Sequence, residues 1–261
     1  MEKVVAESNA VSSCSDGGIF DFCHAPGDRR FHHIRDQLLA PFHRYGFALG
    51  NLFIIDPLYT GPLLAGVLFA GLAKERTGIR ANTVGIIISC VYVLFSLASH
   101  TYADHLFKRQ LAERNIHVQD SITGATPLNT LLWRHVARTD EGLLIGYFSL
   151  IGDHADHAIH FDRVPRNEHL VEPLQGQRNV AAVEWFSKGF WIASIRNGAL
   201  TLSDPRFGEL RFNETDPPEK WRYIFNWELP ENEDTLLRQP LGVWRGDDAI
   251  PFLWKQLQGF E

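Results

Sequence analysis

Cysteine is scarce. Cys14, Cys23 and Cys90 are the only three in 261 residues, and their spacing builds neither a disulfide framework nor a zinc site. Positive charge is not in excess either. The 25 Lys and Arg against 31 Asp and Glu leave a net charge of −6, which argues against a general nucleic-acid binder. The catalytic signatures most easily read from one sequence are missing as well: no G-x-S-x-G elbow, no Walker A loop, no dinucleotide fingerprint and no HExxH. The opening MEKVVAESNAVSS is small and charged and has no apolar core, so no secretory signal is expected there.

Long uncharged runs, by contrast, are present. Seventeen residues from Pro57 to Ala73 and nineteen from Ala81 to Ser99 carry no charge, and the basic connection from Lys74 to Arg80 joins them. As helices they rise about 25 and 28 Å, against a hydrocarbon core of about 30 Å. They read as a transmembrane helical hairpin. The alternative is a pair of helices buried in a soluble core, but ANTVGIIISCVYVLFSLAS reads as apolar on every face, which an amphipathic soluble helix is not. The lipid bilayer is therefore the expected partner. The basic residues flanking the pair, Arg44 and Lys108 among them, lean towards both termini in the cytoplasm, although the connection is itself basic.

Asp56 precedes Pro57 at the start of the first run. Pro suits the first turn of a helix, so Asp56 is a natural N-cap; a carboxylate at a membrane edge is equally a candidate functional group. Upstream, residues 1–37 show no sustained periodicity and read as a loosely ordered tail, His24, His32 and His33 included. Residues 38–115 form the membrane hairpin with its approach and helical extension, Tyr45, Phe47 and Tyr59 serving as boundary aromatics. In that extension His100 and Asp104 are four apart and share a face. They are candidate ligands of a divalent metal, possible zinc ligands by type, or they simply finish a membrane helix; two ligands alone do not make a site.

Residues 116–261 read as a small extramembrane α+β domain with an antiparallel sheet and short helices. Strands are expected at Leu131–Arg138 and Leu143–Ile151, at a short segment that the polar loop GDHADHAIHFDRVPRN leads into, and at Trp221–Trp227. Asn197-Gly198 marks a hairpin turn. A helix is expected over Glu172–Lys188, and another at the end, capped by Asp247 or Asp248. The loop holding Asp153, His154, Asp156, His157, His160 and Asp162 is rich in potential ligands, but its default role is a solvated connection.

Four stretches carry a resemblance. APFHRYGFALGNLFIIDPLYTGPLL, ATPLNTLLWRHVA, FDRVPRNEHL and VEWFSKGFWIASIRNGALTLSDPRFGE, in this order, resemble the bacterial LexA-regulated inner-membrane metal-dependent hydrolases. The resemblance runs from about Leu38 to Gly208. It implies a multi-pass protein of the bacterial inner membrane and metal-activated water attacking an ester or phosphoester of unknown identity. The histidine and aspartate motifs of that family lie in N-terminal membrane helices, and residues 1–37 do not match them. The expectation is a hydrolase lacking that half, and so inactive, or else a non-catalytic membrane-anchored binding or accessory module. The family-matched polar residues are Asp56 and Tyr59 as catalytic candidates, and Asn129, Arg134, Asp204 and Arg206. Arg134 and Arg206 are candidates to bind an anionic headgroup, or to pair with carboxylates and hold the sheet.

Overall fold

The computed structural model describes residues 50–52, 56–153, 158–196, 198–211, 217–229 and 246–259. The expectations for the N-terminal tail, for Tyr45 and Phe47, and for His154, Asp156 and His157 lie outside these. Helix α1 runs from Pro57 to Leu72, with Asp56 as its N-cap: the Leu58 N–H donates to Asp56 Oδ1 at 2.9 Å. Helix α2 runs unbroken from Glu75 to Glu113. The basic connection is therefore shorter than the charge pattern predicts. The chain reverses at Ala73 and Lys74, and Glu75 opens the next helix, where its charge suits the positive end of the dipole.

α1 lies antiparallel along the first half of α2. Gly85 faces Pro62, Gly66 faces Asn82 and Gly78 faces Ala70. A Cβ on Gly85 would stand 2.5 Å from the Pro62 carbonyl oxygen, so the two backbones meet where no side chain fits. This corrects the view of the second run as apolar all round. Gly78, Gly85, Ser89, Ser96 and Ser99 are buried along one face, while Val84, Ile86, Ile87, Ile88, Val91, Leu94 and Phe95 are exposed on the others. Serine and glycine are small rather than apolar, and close helix contact selects for size. α2 is long and apolar enough to cross a membrane; α1, at 16 residues, is a shorter apolar helix.

The second half of α2 becomes a layer of the domain. Ala103, Leu106, Phe107 and Leu111 are buried against a four-stranded antiparallel sheet. That sheet has the order β1 (Asp120–Ala125), β2 (Leu132–Thr139), β3 (Gly142–Ser149), β4 (Phe161–Val164). The β2–β3 hairpin agrees with the sequence pattern. β1 was not anticipated: DSITGA has little apolar alternation and earns its place as an edge strand paired to β2. Side chains of β2 and β3 alternate between two covered faces. Trp133, Ala137 and Phe148 meet α2, while Leu132, Val136, Ile145 and Tyr147 meet Phe190, Ile192, Trp221 and Tyr223 on the far side.

Those last residues belong to, or flank, a second antiparallel sheet of β5 (Ile192–Arg196), β6 (Ala199–Leu210) and β7 (Arg222–Leu229). Arg196 pairs with Ala199, which leaves a two-residue connection with Gly198 at φ +81°. Helix α3 (Arg178–Ser187) covers the outer face through Val180 and Val183. It starts six residues later than the pattern predicts. Glu168–Leu170 and Glu172–Leu174 are single 3-10 turns, and Gly176 at φ +92° breaks the chain before the helix begins. Helix α4 (Gly246–Gln258) contains Asp247 and Asp248 rather than following them. The fold is thus α+β, with α2, two antiparallel sheets and α3 stacked in layers.

Candidate functional site

One face of α2 carries polar residues at steps of three and four: Ser89, Tyr92, Ser96, His100 and Asp104. Each is met by a residue from elsewhere in the chain. Ser89 Oγ donates to the Tyr59 carbonyl at 2.9 Å. Tyr92 OH donates to Asp56 Oδ2 at 2.8 Å and accepts from Thr130 Oγ1 at 2.8 Å. Asn51 Nδ2 donates to Ser96 Oγ at 2.7 Å. His100 Nε2 lies 3.2 Å from the Thr123 carbonyl, and Asp104 Oδ1 accepts from Thr123 Oγ1 at 2.8 Å. The ladder fastens the start of α1, residue 51, β1 and the β1–β2 connection to one helix.

Two buried groups stand out on it. Asp56 is 1% exposed and Thr130 is fully buried, and the half-buried Tyr92 links the two. Asp56 joins α1 to the domain through a single phenol. The second group is His135 on β2, also fully buried and stacked on Phe107 with ring centroids 4.8 Å apart. Its Nδ1 lies 2.7 Å from Thr123 Oγ1. A hydroxyl has one proton, and the ionised Asp104 only accepts. Thr123 therefore donates to Asp104 and accepts from His135 Nδ1–H, which fixes the tautomer. His135 Nε2 keeps its lone pair and has no partner among the described residues. Burial pushes the imidazole pKa down to about 4, so it is neutral at pH 7. Burial alone would raise the Asp104 carboxyl, but hydrogen bonds from Lys108 and Thr123, with the Lys108 charge, hold it below the usual carboxylate range.

The candidate arginines are placed elsewhere. Arg134, on the β2 face opposite His135, pairs with Glu209 of β6 and donates from Nε to Tyr147 OH at 3.1 Å. Tyr147 OH donates to Glu209 Oε1 at 2.9 Å, and Arg211 Nη2 donates to the same oxygen at 2.8 Å. Arg211 also reaches Asp162 at 2.6 Å and lies over the Trp221 ring at 3.7 Å. Burial works against the Glu209 charge, yet Arg134 and Arg211 outweigh it and hold the carboxyl below its ordinary range. Arg206 grips the buried Asp204 with both Nε and Nη2 and donates to the Phe186 carbonyl at 2.6 Å. Both arginines are thus held by buried carboxylates within the sheets.

The remaining candidates are quickly located. Tyr59 is half-buried in the first turn of α1. Asn129 Oδ1 accepts from the N–H groups of Leu131 and Leu132 and shapes the connection into β2. Asp153 accepts from the Ser149 N–H, and Asp162 is shared between His160 and Arg211. Among the described residues no group of three or more His, Cys, Asp or Glu is placed to hold a metal. His100 and Asp104 do share Thr123, but they do not fit a metal. Lys108 Nζ occupies Asp104 Oδ2 at 2.8 Å, Thr123 occupies Oδ1, and a cation there would face an ammonium. Sequence reasoning missed Tyr92, Thr123, His135 and Glu209. The spacing of polar residues along α2 was the available signal for the first. Two adjacent polar residues in the otherwise apolar LWRHVA were the signal for His135.

Comparison of the chain with known protein families, characterised proteins and solved structures finds no match.

Proposed function

We propose that the protein is a membrane-anchored module. α1 and the first half of α2 form a hairpin in the bilayer, and the two-sheet domain is held rigidly at its edge. The supporting observation is α2 itself. One unbroken helix exposes Ile86, Ile87, Ile88, Val91 and Leu94 in its first half and buries Leu106, Phe107 and Leu111 in its second. Aliphatic side chains exposed on several faces are stable in lipid and costly in water. The bonds from Tyr92, Ser96, His100 and Asp104 couple the two halves, so the domain presents its outer surface at a fixed height and angle. This module acts by placing a binding surface at the membrane. Its test is alkaline extraction of membranes from cells making the full chain. The protein stays in the pellet and is released by detergent; release by carbonate alone rejects the reading.

A second reading follows the resemblance: a multi-pass, metal-dependent hydrolase of the bacterial inner membrane. What favours it is convergence, since Asp56 of IIDPLYT and Thr130 of NTLLWR meet on one phenol. In this reading Asp56 orients water or a ligand from the interface, and a divalent metal would supply the activation of water. His100 and Asp104 do not hold that metal, for the reasons of geometry above, and no step is derived through it. The reading requires stoichiometric divalent metal in the detergent-purified full chain and loses its basis if none is found.

A further inference from the structure

The edge of the domain nearest α1 carries a conformational anomaly. Thr126, Pro127, Leu128 and Asn129 make a reverse turn, with the Asn129 N–H directed at the Thr126 carbonyl at 3.5 Å. Pro suits the second position. The third has φ +69°, and its occupant is Leu128. Such turns call for Gly or Asn there, because the left-handed region is unfavourable for a residue with a bulky side chain. Leu128 gains little inside the fold in return, since it is 50% exposed. Beside this turn runs the connection after β3, where the Leu150 N–H donates to the Leu131 carbonyl at 2.8 Å. The next residue, Ile151, is 66% exposed. Two neighbouring loops therefore each offer an aliphatic side chain outward.

Hydrogen bonds fix the height of this rim along α2. Thr130 is bonded to Tyr92, which is bonded to Asp56 at the start of α1. The rim is therefore level with Tyr92 and not with Ser99, where the uncharged run ends. From that level α1 has 16 residues. They rise about 24 Å, roughly 6 Å less than a hydrocarbon core of about 30 Å. Beyond Tyr92 the outer side of α2 stays apolar, with Leu94, Phe95 and Tyr102 exposed. The rim shares this character: no charged residue occurs from Ile122 to Trp133 or from Gly142 to Gly152.

We infer that the rim is part of the membrane-binding surface. Leu128 and Ile151 enter the boundary between headgroups and acyl chains of a phospholipid bilayer, at the level of Leu94 and Phe95 on α2. This rests on the membrane-anchor reading and extends it from the helices to the domain. The rim supplies the depth that α1 lacks, and strain at Leu128 keeps a leucine where a glycine would fit the backbone better. Asp56 tolerates this depth because Leu58 and Tyr92 satisfy its oxygens and the fold shields it from lipid. The occupant is lipid rather than a second copy, because the rim continues the exposed apolar belt of α2 at the same level.

Nitroxide labels test this in the full chain with its three cysteines changed to serine, reconstituted in dioleoylphosphatidylcholine vesicles. Single labels are attached through Leu94→Cys, Leu128→Cys, Ile151→Cys and Glu141→Cys, the last in the β2–β3 turn at the opposite end of the sheet. Labels at 94, 128 and 151 collide severalfold more often with dissolved oxygen than with a water-soluble nickel chelate, and the label at 141 shows the reverse. If 94 behaves as lipid-facing while 128 and 151 resemble 141, the rim proposal is overturned and the anchor stands. If 94 also favours the chelate, the anchor fails and takes the proposal with it. Labels at 128 and 151 shielded from both reagents mark a protein contact and overturn the proposal in favour of a second copy.

Discussion

The two halves of α2 are built inside out relative to each other. Before about Tyr92 the helix buries Gly78, Gly85 and Ser89 and exposes Ile and Val. After His100 it buries Ala103, Leu106, Phe107 and Leu111 and exposes Lys108, Arg109 and Glu113. No break or proline separates the two. The backbone does not change; the surroundings that suit its outer surface do. In the first half small residues serve close packing against α1. In the second half the ordinary hydrophobic effect gathers the aliphatic residues into a core. The polar ladder from Ser89 to Asp104 bridges these two regimes.

The sharpest way to break the domain side is Glu209→Gln. It leaves Arg134 and Arg211 buried beside a neutral amide, and stability of the domain falls by about 3–5 kcal/mol. Chemical denaturation in detergent, followed by the fluorescence of the buried tryptophans, measures it. Helix insertion is unaffected.

The next effect is a dependence on pH. His135 has a pKa of about 4 in the fold against an ordinary 6.5. Between those values the unfolded chain binds a proton that the folded chain refuses. The contribution is present above pH 6.5 and is lost as pH falls towards 4, with a total of about 3 kcal/mol. Asp104, held below its usual range, loses its share at lower pH and adds to the same trend. In His135→Asn, which keeps a donor for Thr123, the slope between pH 6.5 and 4 flattens in the same denaturation experiment.

On the helix side, Gly85→Val forces a side chain into the Pro62 carbonyl. Separating α1 from α2 costs about 2 kcal/mol and loosens the chain reversal between them. The readout is therefore protease sensitivity at the Ala73–Lys74 reversal, which rises while the domain melt stays constant. The smallest effect is expected from Tyr92→Phe. It removes the bond joining Asp56 to the domain and costs about 1 kcal/mol. Its value is diagnostic, because only a coupled structure transmits it to both the helix and the domain readouts.

Much of this was legible in the sequence, and what was missed has a physical pattern. The apolar runs, the Asp56 cap, the β2–β3 hairpin and the continuation of α2 depend on local spacing, which a sequence displays. β1 was not visible because DSITGA is held by its pairing to β2 and not by its own pattern. The partners of Arg134 and Arg206 divide by range: Asp204 sits two residues from Arg206, while Glu209 lies 75 residues from Arg134. Only folding reveals the second. The polar face of α2 was hidden for another reason: serine and glycine count as neutral in a hydropathy average, although their small size decides how helices meet.

The central claim is that the helix pair crosses a bilayer and sets the domain on one side of it. Single cysteines decide this in the serine background, one through Thr77→Cys near the chain reversal and one through Glu141→Cys in the domain. Each is exposed to a membrane-impermeant maleimide in sealed vesicles of uniform orientation, before and after detergent is added. The account predicts opposite labelling: one position reacts from outside, and the other only after detergent opens the vesicle. Labelling of both positions from the same side in intact vesicles would contradict it.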